Sequence, residues 1–170
     1  NLSRGHKKLI NKKSIFYKLN INSKEKIKNI ISKYRIDTII HLAALMRVDE
    51  SIKFPKRYKI NNIQGTRSLI EVAKESTVKR IIFSSSCSVY GKLNKSKINE
   101  KDKTLPLSPY GSSKLKSEII LKKLCKKYKI NLVILRYFNV VGAQIKQKPF
   151  LGQINKTGQL FQNIYLFLRK

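Results

Sequence analysis

Residues 37–44 read DTIIHLAA, and the apolar run inside this stretch is continuous rather than alternating. A strand with one wet face alternates with period two, so the run predicts a strand buried on both faces, as in a parallel sheet. The flanking segments supply the rest of such a sheet. Helices are predicted from about Lys24 to Tyr34, from about Tyr58 to Glu75 and from Tyr110 to Tyr128. Strands are predicted at 15–19 (IFYKL), at Lys79 to Ser84 and at Leu132 to Tyr137. A long polar loop runs from Ser84 to Pro109. Strands alternating with helices in this way predict an α/β parallel sheet with right-handed crossovers.

With 170 residues and 41% hydrophobic content, the chain is long enough for one compact domain. Its apolar runs fall far short of the roughly twenty residues that cross a bilayer, and no basic-then-apolar leader opens it. A cytoplasmic protein with no membrane partner is expected. Cys87 and Cys125 have neither zinc-site nor disulfide spacing, so free thiols and no metal site are expected. The formal charge of +29 invites a nucleic-acid reading, but thirty lysines against eight arginines are spread through nearly every segment. A dedicated nucleic-acid surface concentrates arginine or interleaves aromatics with the charge. No specific nucleic-acid partner is expected, only polyanion binding at low salt.

Parallel sheets bind ligands beyond the carboxyl ends of their strands. His41, Ser84, Ser85, Ser86 and Asn139 all follow or end an apolar strand. The stretch SPYGSSK (108–114) opens the last helix, and its Tyr110 and Lys114, four residues apart, share one helix face. Taken singly, the serines could pair loop backbone, Asn62 could cap or turn the chain, and His41 reads better as a packed, satisfied histidine than as a base.

Five stretches occur in a telling order: HLAALMRVDES (41–51), INNIQGT (60–66), IIFSSSCSVYG (81–91), SPYGSSK (108–114) and LRYFNVVGA (135–143). Together they resemble the extended short-chain dehydrogenase/reductase family, most closely its UDP-glucose 4-epimerase branch. The resemblance implies a Rossmann-like doubly wound sheet, with residues 1–143 a partial NAD-binding domain and 144–170 the start of a substrate-binding region. It implies Tyr110 as the general base and acid, Lys114 as a ribose ligand that lowers the phenol's pKa, and Ser86 as the serine that bonds the reacting hydroxyl. NAD contacts fall on Asn1, Asn20, Ile21, Leu42, Ala43, Ala44, Asn62, Ser84, Ser85, Tyr110, Lys114 and Tyr137. Substrate contacts fall on Ser86, Tyr90, Tyr110 and Asn139. The implied reaction inverts C4 of a UDP-hexose through a 4-keto sugar. The helices near 58–75 and 110–128 resemble those that pair two epimerase subunits, so a homodimer is implied for a full-length protein.

Several departures bear on these expectations. Asn20 stands where the family usually has an acid, and Met46 where close epimerases often have lysine. No G-x-x-G-x-x-G occurs in the chain. Asn1, Leu2 and Ser3 match the residues directly after the family's second strand. The first strand, Gly-rich turn, first helix and second strand are therefore expected to be missing, and a truncation is expected at the other end too. The alternatives are another nucleotide-sugar epimerase, a dehydratase of the same family, or a noncatalytic truncated remnant.

Overall fold

A computed structural model describes residues 1–7, 10–94 and 96–140. Two compact units emerge, one comprising Asn1 and Tyr17–Phe138, the other Leu2–Phe16 and Asn139–Lys170. In the described part of the second unit, Asn11 organises a turn by accepting the Ser14 amide at 3.0 Å and, through its side chain, the Lys13 amide at 2.8 Å.

The first unit holds the sheet. Its elements are α1 (Lys24–Lys33), β1 (Thr38–His41), α2 (Val48–Lys53), α3 (Pro55–Tyr58), a π-helical segment (Lys59–Gln64), α4 (Gly65–Ala73), β2 (Arg80–Ser86), a 3-10 turn (Cys87–Val89), α5 (Pro109–Tyr128) and β3 (Asn131–Tyr137). The three strands are parallel in the order β1-β2-β3, with His41 opposite Phe83 and Ser86 opposite Tyr137. Each parallel pair needs a crossover connection, and α4 and α5 provide them.

The core lies between one face of the sheet and the helices. Ile81 and Phe83 of β2 meet Ile31 of α1, Ile70 and Val72 of α4, and Leu121 and Cys125 of α5. Period-two alternation turns Ile40, Val133 and Leu135 to the opposite face, where they are exposed. This corrects the expectation of a strand buried on both sides: in β1 only one face carries packed helices among the described residues.

Two further corrections follow from packing. The strand expected at 15–19 does not form, and Ile15 is 67% exposed. A strand is held by a neighbour's N–H and C=O groups, and none of the described strands pairs with this segment. The single helix expected from Tyr58 to Glu75 is instead built in three parts, preceded by the separate α2. On α5 the buried face is Tyr110, Ser113, Lys114, Ser117, Glu118, Leu121 and Cys125, while Ile119 is exposed. Four of those seven residues, Ser113, Lys114, Ser117 and Glu118, are polar or charged.

Candidate active site

The start of α5 is tightly specified. Ser108 is the N-cap, its hydroxyl accepting the Gly111 amide at 3.0 Å, and Pro109 sits at the first helical position, where its missing N–H costs nothing. The Tyr110 amide is taken by Ser51 Oγ at 3.1 Å. Gly111 allows the close approach of α5 to the serine loop: a Cβ there would lie 2.6 Å from the Ser88 carbonyl oxygen. Tyr110 is thereby brought beside Ser86.

Burial pushes the Tyr110 phenol above its ordinary pKa, and a hydrogen-bonding interaction with Ser86 partly offsets this. The expected lowering by Lys114 is not found in the protein alone. The reason lies in where the ammonium goes: Lys114 Nζ donates to the Ser84 carbonyl at 2.8 Å and lies 5.0 Å from the centre of the Phe83 ring. Burial lowers Lys114 to about 8, against the opposing influence of Glu118. Ser86 sits at the carboxyl end of β2, and its hydroxyl accepts the Ser88 amide at 3.2 Å. Tyr110, Lys114 and Ser86 thus meet at the end of the sheet where ligands bind in such folds.

His41 is buried and close to Lys114, and burial lowers its pKa to about 4. Thr66 gives its hydroxyl hydrogen to the Asn62 carbonyl at 2.6 Å, so its oxygen accepts from His41 Nε2 at 2.9 Å. His41 is a satisfied neutral histidine, in line with the sequence reading.

The turn after β1 presents Leu42 and Ala43 to solvent, with Ala44 half-buried. Asn62 anchors it. Its amide nitrogen donates to the Leu45 carbonyl at 2.9 Å and to Ser113 Oγ at 2.9 Å, while its oxygen accepts the Leu45 amide at 2.8 Å. The side chain also accepts from Asn61 and has no donor left for a ligand. Asn62 lies in the π-helical segment, and its carbonyl accepts from the Gly65 amide and from the Thr66 and Ser117 hydroxyls.

The other expected residues are placed less uniformly. Asn20 is exposed and its oxygen accepts the Asn22 amide at 3.0 Å, and Ile21 packs over Gly65. Asn1 is exposed, and Tyr137 ends β3 with 41% exposure. Ser85 points to the opposite side of β2 from Ser84 and Ser86, donating to Glu118 at 2.5 Å. Tyr90 is buried, with the Arg136 guanidinium 4.8 Å from its ring centre. Asn139 belongs to the second unit, and residues 141–170 lie outside the described residues.

Sequence reasoning missed Glu118 and Arg136. Their pairing is bidentate, with Arg136 Nε to Oε1 at 3.0 Å and Nη2 to Oε2 at 2.7 Å. The available signal was Glu118 four residues beyond Lys114, which continues the Tyr110 face by another turn. Among the described residues, no group of three or more His, Cys, Asp or Glu side chains could hold a metal ion, and no helix is long and apolar enough to cross a membrane.

The fold and this arrangement define an incomplete α/β protein of the Rossmann type. The profile of the NAD dependent epimerase/dehydratase family matches residues 1–160, and the chain belongs to that family. It is 38% identical over 143 residues to the UDP-glucose 4-epimerase of Lacticaseibacillus casei, covering 84% of this chain and 43% of that protein. The crystal structure of UDP-glucose 4-epimerase from Brucella ovis in complex with NAD superposes with a TM-score of 0.81 at 35% identity, over 85% of this chain and 44% of that one. The Thermotoga maritima UDP-glucose 4-epimerase with UDP-glucose gives a TM-score of 0.79 at 34% identity, over 89% and 49%. The chain spans less than half the length of these relatives.

Proposed function

We propose that this chain forms the catalytic part of a cytoplasmic, NAD-dependent epimerase that inverts C4 of a UDP-hexose, interconverting UDP-glucose and UDP-galactose. The observation that carries this reading is the meeting of Ser86, Tyr110 and Lys114 at the carboxyl end of a parallel sheet. Cys87 and Ser88 in the serine loop supply no acidic pair, which favours an epimerase over a dehydratase.

The fit to NAD rests on Lys114. A lysine ammonium has three donors, and among the described residues this buried one makes a single hydrogen bond, to Ser84, which leaves two N–H groups for a ribose diol. The turn Leu42–Ala44, with Ser84 and Tyr137 at the neighbouring strand ends, would border the same half of the cofactor. Asn1, Asn20 and Ile21 are assigned to its adenosine side, while Ser85 and Asn62 act by holding neighbouring elements. When bound, NAD supplies the carbon that accepts a hydride from C4 and returns it.

Tyr110 takes the proton of the sugar's 4-hydroxyl and gives it back once the 4-keto sugar has turned. Ser86 holds that hydroxyl by a hydrogen bond and passes its proton. A buried phenol is a poor base, so the phenolate needs positive charge nearby, from Lys114 and from the oxidised cofactor's ring. Tyr90 and Asn139 are assigned to the sugar and the pyrophosphate. Residues 1–143 would form the cofactor-binding domain, with 144–170 opening the substrate region, and the helices at 58–75 and 110–128 would pair two full-length subunits.

The test is a thermal melt of the 170-residue chain titrated with NAD at physiological salt. A ligand at 100 times its Kd raises stability by about 2.7 kcal/mol, so a rising midpoint that Lys114→Met abolishes is expected. A cooperative melt indifferent to NAD would refute the reading for this chain.

A further inference from the structure

Among the described residues, Glu118 is the one carboxyl group that is wholly buried. It lies one turn beyond Lys114 and two beyond Tyr110 on the buried face of α5. Oε1 accepts from Ser85 Oγ of β2 at 2.5 Å and from Arg136 Nε of β3 at 3.0 Å, and Oε2 accepts from Arg136 Nη2 at 2.7 Å. Ser85 and Arg136 are register partners on adjacent strands, so one carboxylate spans both. Arg136 in turn covers the Tyr90 ring and donates to the Glu100 carbonyl at 3.2 Å. Lys122, at 4.0 Å and largely exposed, adds only a distant charge.

An apolar pair of equal volume often stabilises a fold as well as a buried ion pair does. What the ion pair adds here is direction and charge. We infer that Glu118 is a positioning residue for the site: through Ser85 and Arg136 it fixes α5 against β2 and β3, and with it the places of Lys114 and Tyr90. The roles of those two residues rest on the proposed function, whereas the geometry does not.

Lys114 reports on this directly. It faces His41 from β1, the Ser84 carbonyl and Phe83 ring from β2, and Glu118 from its own helix. Glu118 is the only anion in that set, and it opposes the lowering that burial imposes.

The experiment labels lysine Cε with carbon-13 in the whole chain, assigns Lys114 by loss of its resonance in Lys114→Arg, and follows it from neutral to alkaline pH. The midpoint is expected near 8 in the parent chain, and lower in Glu118→Gln, where the Tyr90 ring resonances also move. Should Glu118→Gln not fold, Ser85→Ala keeps the ion pair but cuts its link to β2, and a shift of the Lys114 midpoint is expected there as well. An unchanged Lys114 midpoint in either folded variant would overturn the inference. So would failure of both to fold, since the pair would then serve the fold rather than the site. No NAD is present in this experiment, so absence of NAD binding by the parent chain would sink the proposed function and leave this result intact.

Discussion

Lys114 Nζ on α5 donates to the Ser84 carbonyl of β2 at 2.8 Å, tying the helix to the strand through a group that burial disfavours in its charged form. Its pKa falls from 10.5 to about 8 in the folded protein. Between those values the unfolded chain keeps a proton that the folded chain has lost, so stability rises with pH across the window. The rise attributable to this group is on the order of 3 kcal/mol. Lys114→Met removes it, so in urea unfolding the stability of the parent relative to the variant should rise with pH, and only between about 8 and about 10.5. A constant difference over that range would show that Lys114 is not desolvated.

His41 works in the same direction in acid. Its pKa is lowered from 6.5 to about 4, chiefly by burial and then by Lys114. Within that window the unfolded chain binds the extra proton, so stability present above pH 6.5 is lost as pH falls toward 4. His41→Phe keeps the ring contact with Phe83 but cannot titrate. Its melting midpoint should therefore depend less on pH than the parent's between about 4 and 6.5, and a parallel pH profile would contradict the assignment.

Asn62 holds the turn after β1 from a helix packed behind it. Removing its amide in Asn62→Ala leaves both Leu45 backbone groups without their partner and opens a gap beside Ser113. Unsatisfied buried groups cost about 1–3 kcal/mol each, and Leu45 is only partly buried, so a loss of about 2–3 kcal/mol in denaturant unfolding is expected. NAD affinity should weaken in the same variant, because the turn Leu42–Ala44 loses its anchor. Full stability in Asn62→Ala would show that water replaces the amide.

The parallel sheet was legible in the sequence because strands alternating with helices are a pattern of local signals. Ser108, Pro109 and Tyr110 announced α5 to within one residue. The site was legible only in part. Tyr110 and Lys114 are linked by helical spacing, but Ser86 comes from another element and joined them through family resemblance. Glu118 and Arg136 were hidden because a charged residue reads as a wet position; the register of β3 puts Arg136 beside Ser85, and the packing of α5 buries Glu118 against both. The failed strand at 15–19 had the right composition for a strand, yet strand formation depends on a partner that composition does not report.

Tyr110→Phe separates the fold from the chemistry. The phenol is buried but the ring does the packing, standing edge-on to Tyr58 with centres 6.4 Å apart. Phenylalanine preserves that contact and loses only the interaction with Ser86, so the melting midpoint should change little. Proton transfer by a placed side chain contributes about 10²–10⁴-fold to rate. In a protein of the relatives' full length carrying this segment, turnover of UDP-galactose should fall by at least that range while NAD binding persists. Turnover unchanged by Tyr110→Phe would move the proton to another group, and Ser86 is the one placed to take it.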